Sequence, residues 1–579
     1  MAEILSIQHE RIDDVPLIIG LAKQLRMIEI LDTHLGTHGL QQGLNNGQLA
    51  VGWMSYILSQ ADHRKSAVRD WAHTLPHTLG QLLGQPLREV DFSDDRLGGV
   101  LRRLSVDTAW EAIERELWAA TVAVYELPVS GVRLDSTTAY GYHQPSEGGL
   151  MHPGHSKDHR PDLSQVKLMA AAAQPGGQLL VCDVHPGQAA DDPLYLPLIE
   201  RVRRLLGREG LLYVGDCKMA ALATRAQIAF HQDYYLMPLP LTGATATAFG
   251  PWVTAVVEGD QEATLIWEGE RLIGAGYEWE REPSARVKDP QGREQNWTWK
   301  ERVQVVRSGA LAQAQQAALE KRLQAAAAAV FALTPSPGRG KHPQREEALL
   351  RAAIAGVMER YDVVGLLQVH WQRQESTTTH YQGPGRPGPQ RPSTTQTQGH
   401  YVITQVQRQE AAIAARCRRL GWRVYVTNAP VERLSLPQAV LSYRAGWVLE
   451  RDFHLVKDLP LGLSPLFVWK EDQIKGLLRL LTLALRLLTL IESQVRQGLA
   501  NAQQTFQGLY EGQANRATTQ PTAKRLLRAF ARAQLTLTTV ETTAGREGHL
   551  TALSPLHQQV LQFLRLPASL YTALVYNSS

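Results

Sequence analysis

Three carboxylates on separate elements are the residues of this chain best suited to chemistry. Asp135 follows the apolar run Val129–Leu134, and Asp216 follows Leu211–Gly215. Both runs predict short buried strands, which puts each acid at a strand's carboxyl end, where ligands of open α/β sheets gather. Glu450 falls on a predicted long helix from about Leu436 to Asp458, stopped by Pro460. At ~100° per residue, Tyr443, Gly446, Trp447, Glu450, His454 and Lys457 cover about one third of its circumference. An acid, an imidazole, an amine and a phenol thus share one face. Three carboxylates suit two hard divalent cations completed by phosphate and water. Two such ions ~4 Å apart clamp the attacking and leaving oxygens of an in-line phosphoryl displacement. Plainer roles stand beside this one. Asp216 could cap a helix Met219–Phe230, and Glu450 makes ordinary spaced pairs with His454 and Lys457 on a solvated face.

The elements that must position these groups follow from periodicity. Apolar residues at three- and four-residue spacing predict helices through Val15–Ile28, Leu49–Ser59, Asp94–Leu104 (capped by Ser93) and Ala109–Val124, hence an all-helical region over 1–126. The texture changes at Leu127. A strand ending at Asp135, a polar loop Ser136–Ser164, and a hairpin Gln165–Ala173 and Gln178–Val184 around Pro175-Gly176-Gly177 come first. A helix capped by Asp191 or Asp192 and running to Leu206, the strand before Asp216, the helix Met219–Phe230 and the strand Tyr234–Leu239 complete a first α/β unit, 127–241. This order predicts a mixed sheet covered by helices. Residues 242–399 form the next stretch. Its first half, Thr242–Val306, is β-rich, with Trp252–Val257 and Ala263–Trp267 as strands. Helices Ala310–Leu333 and Glu346–Val363 follow, and Ser376–Gly399 is a Gly-, Pro-, Thr- and Gln-rich loop. The α/β pattern resumes over 400–512, and 513–579 form a helical tail.

Composition narrows the classes. Lys and Arg total 60 against 56 Asp and Glu, a net charge of +4 over 579 residues, which excludes a polycation and an acidic solvating chain. The three cysteines, Cys182, Cys217 and Cys417, show no C-x-x-C, against a disulfide framework or a zinc finger. The first residues, MAEILSIQHERIDD, do not form a signal peptide, and the most apolar stretch, Ile474–Ile491, carries Lys475, Arg479 and Arg486. A cytoplasmic protein with no membrane contact is expected. With no G-x-x-x-x-G-K-[ST], no nucleotide cofactor is expected.

Several further residues have a functional role and a simpler one open to them. Lys157, His159 and Arg160 lie in the polar loop near Asp135, as phosphate contacts or as a solvated loop. Asp183 is a rival metal ligand for which a structural role fits better. Basic clusters at Arg102–Arg103, Arg339–Arg345, Arg416–Arg423 and Lys524–Arg532 together offer surface for phosphate neutralisation.

Five strings carry a resemblance: VRLDSTTAYGY (Val132–Tyr142), GHSKDHRPDLSQVKL (Gly154–Leu168), VHPGQAADD (Val184–Asp192), LYVGDCKM (Leu212–Met219) and YRAGWVLERDFHLVK (Tyr443–Lys457). In these the chain resembles the DDE transposases of bacterial insertion sequences, in the group with a ribonuclease H-like core interrupted before the Glu of a Y-x2-R-x3-E-x6-K motif. The resemblance implies an α/β, ribonuclease H-like mixed sheet with a β-rich insertion, behind a helical N-terminal DNA-binding domain. It implies Asp135, Asp216 and Glu450 as catalytic residues holding two Mg2+ ions, with Mn2+ as a substitute. Tyr443 and Lys457 would contact DNA, joined by Trp447, His454, Arg451, Lys157, His159 and Arg160. The motif's Arg position holds Gly446. Implied partners are double-stranded DNA with terminal inverted repeats, target DNA and a second copy of the chain in a synaptic dimer. A nuclease of the same fold without strand transfer, and an inactive DNA-binding protein, are the alternatives.

Overall fold

The computed structural model describes residues 4–37, 39–157, 159–335, 343–384, 386, 392–446, 449, 451, 453, 455, 461–543 and 545–575. The predicted sequence of strands and helices after Leu127 is present, but the strand before Asp135 does not end there. β2 (Gly131–Gly141) continues through Thr137 and Thr138, whose β-branched side chains favour extended backbone. Asp135 is therefore an interior strand residue. β2 pairs antiparallel with β3 (Ser164–Gln174), which returns to β4 (Gln178–Pro186) through the Pro-Gly-Gly turn. α8 (Tyr195–Leu206), β5 (Leu212–Val214), α9 (Leu222–Phe230) and β6 (Tyr234–Pro238) follow. Asp216 does not cap α9, whose N-cap is Ala221. Nor does Asp191 or Asp192 cap α8, which begins behind Leu194.

The next segment corrects the sequence reading twice. Trp252–Val257 lies in a helix, α10 (Gly243–Glu258), because Phe249, Trp252, Val253 and Val256 recur at helical spacing and pack on the sheet's core. Strands follow it: β7 (Thr264–Glu268), β8 (Arg271–Arg281), the small hairpin β9 (Ser284–Lys288) and β10 (Glu294–Thr298), and β11 (Glu301–Ser308). β7, β8 and β11 do not form a separate sheet. With β14 (Trp422–Thr427) they extend the first one to nine strands, in the order β4-β3-β2-β5-β6-β14-β11-β8-β7.

Between β11 and β14 stand α11 (Gly309–Phe331), α12 (Glu347–Arg360), α13 (Glu410–Arg418) and a long two-stranded ribbon, β12 (Leu367–Tyr381) with β13 (Ser393–Arg408). Leu319, Leu323, Leu350, Ile354, Ile403 and Ile413 give these helices and the ribbon's base their own core. The predicted loop Ser376–Gly399 is mostly strand. Its threonines face one another across the ribbon, as in Thr377 beside Thr397.

The N-terminal region is not all-helical. Before its helices, β1 (Ile4–Arg11) pairs with β15 (Thr536–Thr542), which pairs with β16 (Gly545–Leu550), so the expected helical tail contains a hairpin. Behind β1 come α1 (Val15–Gln24), α2 (Met27–Leu35), α3 (Asn46–Gln60), α4 (Lys65–Ala72), α5 (Pro76–Leu83), α6 (Asp94–Leu104) and α7 (Asp107–Tyr125). They share one core with α15 (Glu471–Ala502), α16 (Ala523–Arg532), α17 (Pro555–Phe563) and α18 (Ser569–Thr572). α15 is the axis of that core. Its Arg479 pairs with Asp107, and its Arg486 donates to Glu114 at 2.7 Å and to the carbonyls of Leu179 and Leu180. Among the described residues no helix is long and apolar enough to cross a membrane.

Of the predicted helix Leu436–Asp458, the first part is α14 (Leu436–Arg444). Ser435 and Gln438 form a capping box at its start, and Ala445 ends it. Ala445 and Gly446 lie in a turn, and helical positions resume at Leu449, Arg451, Phe453 and Leu455. Tyr443 is thus not on one uninterrupted helix with the residues beyond Gly446. Trp447, Glu450, His454 and Lys457 lie outside the described residues.

Candidate active site

Strand register brings two of the three acids together. β2 and β5 are parallel, with Val132 beside Tyr213 and Arg133 beside Val214. Two residues further along each chain stand Asp135 and Asp216. Gly215 still donates to the Leu236 carbonyl at 3.3 Å, and the chain turns after Asp216, over 217–220; a Cβ on Gly215 would come within 2.7 Å of the Met219 sulfur. Asp216 Oδ1 accepts from the Lys218 main-chain N–H at 2.9 Å and from the Tyr195 hydroxyl at 2.7 Å. Tyr195, fully buried on α8, therefore fixes this carboxylate from behind the sheet; burial together with the charges of Asp216 and Asp135 pushes its phenol far up.

Asp135 keeps about a quarter of its side chain exposed. Burial pushes its carboxyl up, the Lys157 ammonium draws it down, and the Asp216 charge raises it again; the net direction is upward. Lys157 Nζ is 3.3 Å from Asp135 Oδ1 and also donates to the Ser136 carbonyl. The loop bearing Lys157 is held by close backbone approach. A Cβ on Gly154 would fall 2.2 Å from the Gly187 carbonyl oxygen, and one on Gly187 would fall 2.1 Å from that of Gln165. Reciprocal bonds between His152 and Gln165 and a bond from Gly187 to Leu150 complete the seam. Two of the strings noted in the sequence, around Gly154 and Gly187, are thus the two sides of one packed loop.

A third acid stands nearby. Asp191 binds the buried ammonium of Lys167 and accepts from Ser136 Oγ at 3.1 Å. Burial alone would raise the Asp191 carboxyl, but the Lys167 ammonium outweighs it and holds it low. The sequence reading missed Asp191, Lys167 and Tyr195 as neighbours of the site. Lys167 carried a signal, an ammonium inside an otherwise apolar strand; Tyr195 carried none. Asp183 is occupied elsewhere, in an ion pair with Arg201.

The remaining candidates divide. Tyr443 packs its ring 4.9 Å from Tyr425, and burial, Tyr425 and the Asp216 charge push its phenol up to about 12. His159 is exposed at a left-handed φ of 56°. Arg160 pairs with Asp162 at 2.8 Å and lies over the Tyr140 ring. Arg451 forms an ion pair with the buried Glu492 on α15. Leu449 and Phe453 pack in the same core as Ala170 and Ala172, the cross-strand neighbours of Asp135 and Arg133. Leu449 lines a cavity together with Arg133 and Ala172, on the face of β2 that also carries Asp135. Among the described residues no group of three or more His, Cys, Asp or Glu is arranged to hold a metal ion. Asp135 and Asp216 supply two hard oxygen donors of like charge, a pair that calls for a cation.

Comparison with protein families matches residues 130–487, more than half of the chain, to the transposase DDE domain. Comparison with curated protein sequences gives no match. Among solved structures, the chain is similar to the cryo-EM structure of the piggyBac transposase synaptic complex with hairpin DNA, at 9% identity and a TM-score of 0.24. That alignment covers 49% of this chain and 60% of the other, and so weak a likeness carries no structural argument.

Proposed function

The chain belongs to the DDE transposase family, and from that premise we propose that it cuts and rejoins DNA at insertion-sequence ends by metal-dependent phosphoryl transfer. The observation that supports this reading is the parallel pairing of β2 with β5, two residues beyond which stand Asp135 and Asp216, near enough for the charge of Asp216 to raise the Asp135 carboxyl. Asp135 and Asp216 would hold a divalent cation, Mg2+ or Mn2+, and Glu450 would be the third ligand of a two-ion site. The bound ions would supply Lewis acidity and charge neutralisation at the scissile phosphate.

The residues of the chain divide the other tasks. Tyr195 holds one oxygen of Asp216 and leaves the other free for a ligand. Lys157 neutralises Asp135 in this structure, and its ammonium would be available to a DNA phosphate beside the site. His159 and Arg160 extend the same cationic loop, and Tyr443 presents a phenol near Asp216. Trp447, His454 and Lys457 would contact the DNA end. Arg451, tied to Glu492, is reassigned from DNA contact to holding its helix on α15. The substrates would be terminal inverted repeats and target DNA, bound by a homodimer in the cytoplasm.

The test is a strand-cleavage and strand-transfer assay on a DNA end with Mg2+. Wild-type protein is expected to nick the end and join it to target DNA. Asp135→Asn and Asp216→Asn are expected to lose at least 100-fold in cleavage while binding the end normally, as preorganised electrostatics at phosphate would require. Full cleavage by either variant refutes the site. Cleavage without joined product would make the protein a nuclease of the same fold.

A further inference from the structure

Arg133 stands two residues before Asp135 on the same face of β2, and it is only 7% exposed. Its Nη2 donates to the Ser442 carbonyl at 2.6 Å and reaches the Tyr443 carbonyl at 3.4 Å. The side-chain oxygen of Gln174, with its amide turned to suit, accepts from Nε and Nη2 at 3.1 Å each. Ser442 and Tyr443 are in the last turn of α14, where the helix presents its negative end; the Tyr443 carbonyl also accepts from the Gly446 N–H at 3.1 Å, so the guanidinium's nearer bond, to Ser442, is the one that supplies a missing donor. A guanidinium satisfies both needs.

Gly446 makes this possible. A Cβ there would fall 2.8 Å from Arg133 Nη1 and 3.4 Å from its Cζ. Gly446 is absent from the positive-φ glycines, so its backbone does not require glycine. A side chain there would meet the guanidinium first and the Tyr443 carbonyl oxygen, at 3.1 Å, next, so it would push the guanidinium out of its place at the helix end. Apolar packing here is thin, since a cavity of about 240 Å³ is lined by Arg133, Gln174, Ser442, Ala445 and Leu449. The polar tether therefore bears much of the task of holding the end of α14 to the strand.

We propose that Arg133 is a positioning residue of the active site, clamping the exit of α14 to β2 and so fixing where the segment bearing Glu450 meets the strand bearing Asp135. This rests on the transposase reading above. In it, Gly446 and Arg133 form one device: the guanidinium comes from the strand, and position 446 stays bare to admit it.

A double-mutant cycle on the full-length protein tests the device. Gly446→Ala is expected to lower DNA-end cleavage about tenfold when Arg133 is present and less than threefold in the Arg133→Met background, with end binding within twofold throughout. An equal effect in both backgrounds overturns the proposal. Hydrogen exchange provides an arm independent of activity. Arg133→Met is expected to speed exchange at least tenfold in peptides spanning 441–455 while leaving α15 unchanged, and Arg133→Lys to restore part of the protection. Unchanged protection in 441–455, or loss spread equally over α15, overturns the proposal. Wild-type protein that cuts no DNA but shows the exchange pattern would remove the transposase reading and leave the clamp standing.

Discussion

Asp14 offers a sharp test of the electrostatics built into the large helical core. It precedes α1, is 2% exposed, and its Oδ1 has no hydrogen-bond partner among the described residues. Burial, only partly offset by hydrogen bonds, pushes its carboxyl from 3.8 up to about 7. The native state therefore holds a proton that the unfolded chain releases near pH 4. Wherever the native state binds more protons, stability falls as pH rises. The loss begins near the unfolded pKa and is complete above the folded one, so the window is about pH 4 to 7. At ~1.4 kcal/mol per tenfold, that interval sets a ceiling of roughly 4 kcal/mol, and relaxation around the charge brings the expectation to about 2–4 kcal/mol. Asp14→Asn removes the titration while keeping the shape. Urea unfolding of both proteins between pH 4 and 8 should show the variant gaining on wild type across this window, with a constant offset on either side. Parallel profiles would refute the argument, because a buried carboxylate without this penalty would have to be solvated or paired.

Other outcomes follow from the same contacts. Glu114, 1% exposed, lies between Arg201 and Arg486 and accepts from the Cys182 N–H at 3.0 Å. Glu114→Leu strands two guanidinium groups and is expected to cost ~3–5 kcal/mol in urea unfolding; a loss below about 1 kcal/mol would show that Asp183 and the carbonyls suffice. Lys157→Met removes the ammonium that occupies Asp135, so calorimetry should show Mg2+ binding several-fold tighter even as end cleavage falls; weaker binding would show that Lys157 shapes the site instead of competing for it. Replacing 376–398 of the exposed ribbon, between the paired Glu375 and Gly399, by a two-residue Asn-Gly turn should leave the melting temperature within about 2 °C, because excised loop tips with little burial contribute little stability.

The sheet order around the acids was legible because apolar runs, turn residues and helical periods are local properties. β3 and β4 around Pro175-Gly176-Gly177 and the position of β5 before Asp216 match the sequence reading closely. The errors arose where local signals were ambiguous. Trp252–Val257 has an apolar run that suits either strand or helix, and only packing on the sheet decides for α10. The ribbon was hidden because Thr and Gln satisfy both loop and strand composition, and cross-strand pairing is not visible along one strand. The ideal-helix argument for Tyr443 and Glu450 assumed continuity through Ala445 and Gly446, where the backbone turns.

By itself the sequence determined which residue types could do the chemistry and in what order the chain presents them: Asp135, then Asp216, then Glu450. These follow from composition and short-range pattern. What only the tertiary structure decided is who stands beside whom: Asp135 level with Asp216, Lys157 on Asp135, Tyr195 behind Asp216, and Arg133 filling the space left by Gly446. Each of these contacts joins residues from different elements. Strand register, helix exits and the volume of a missing side chain set them, and no window of sequence contains those quantities.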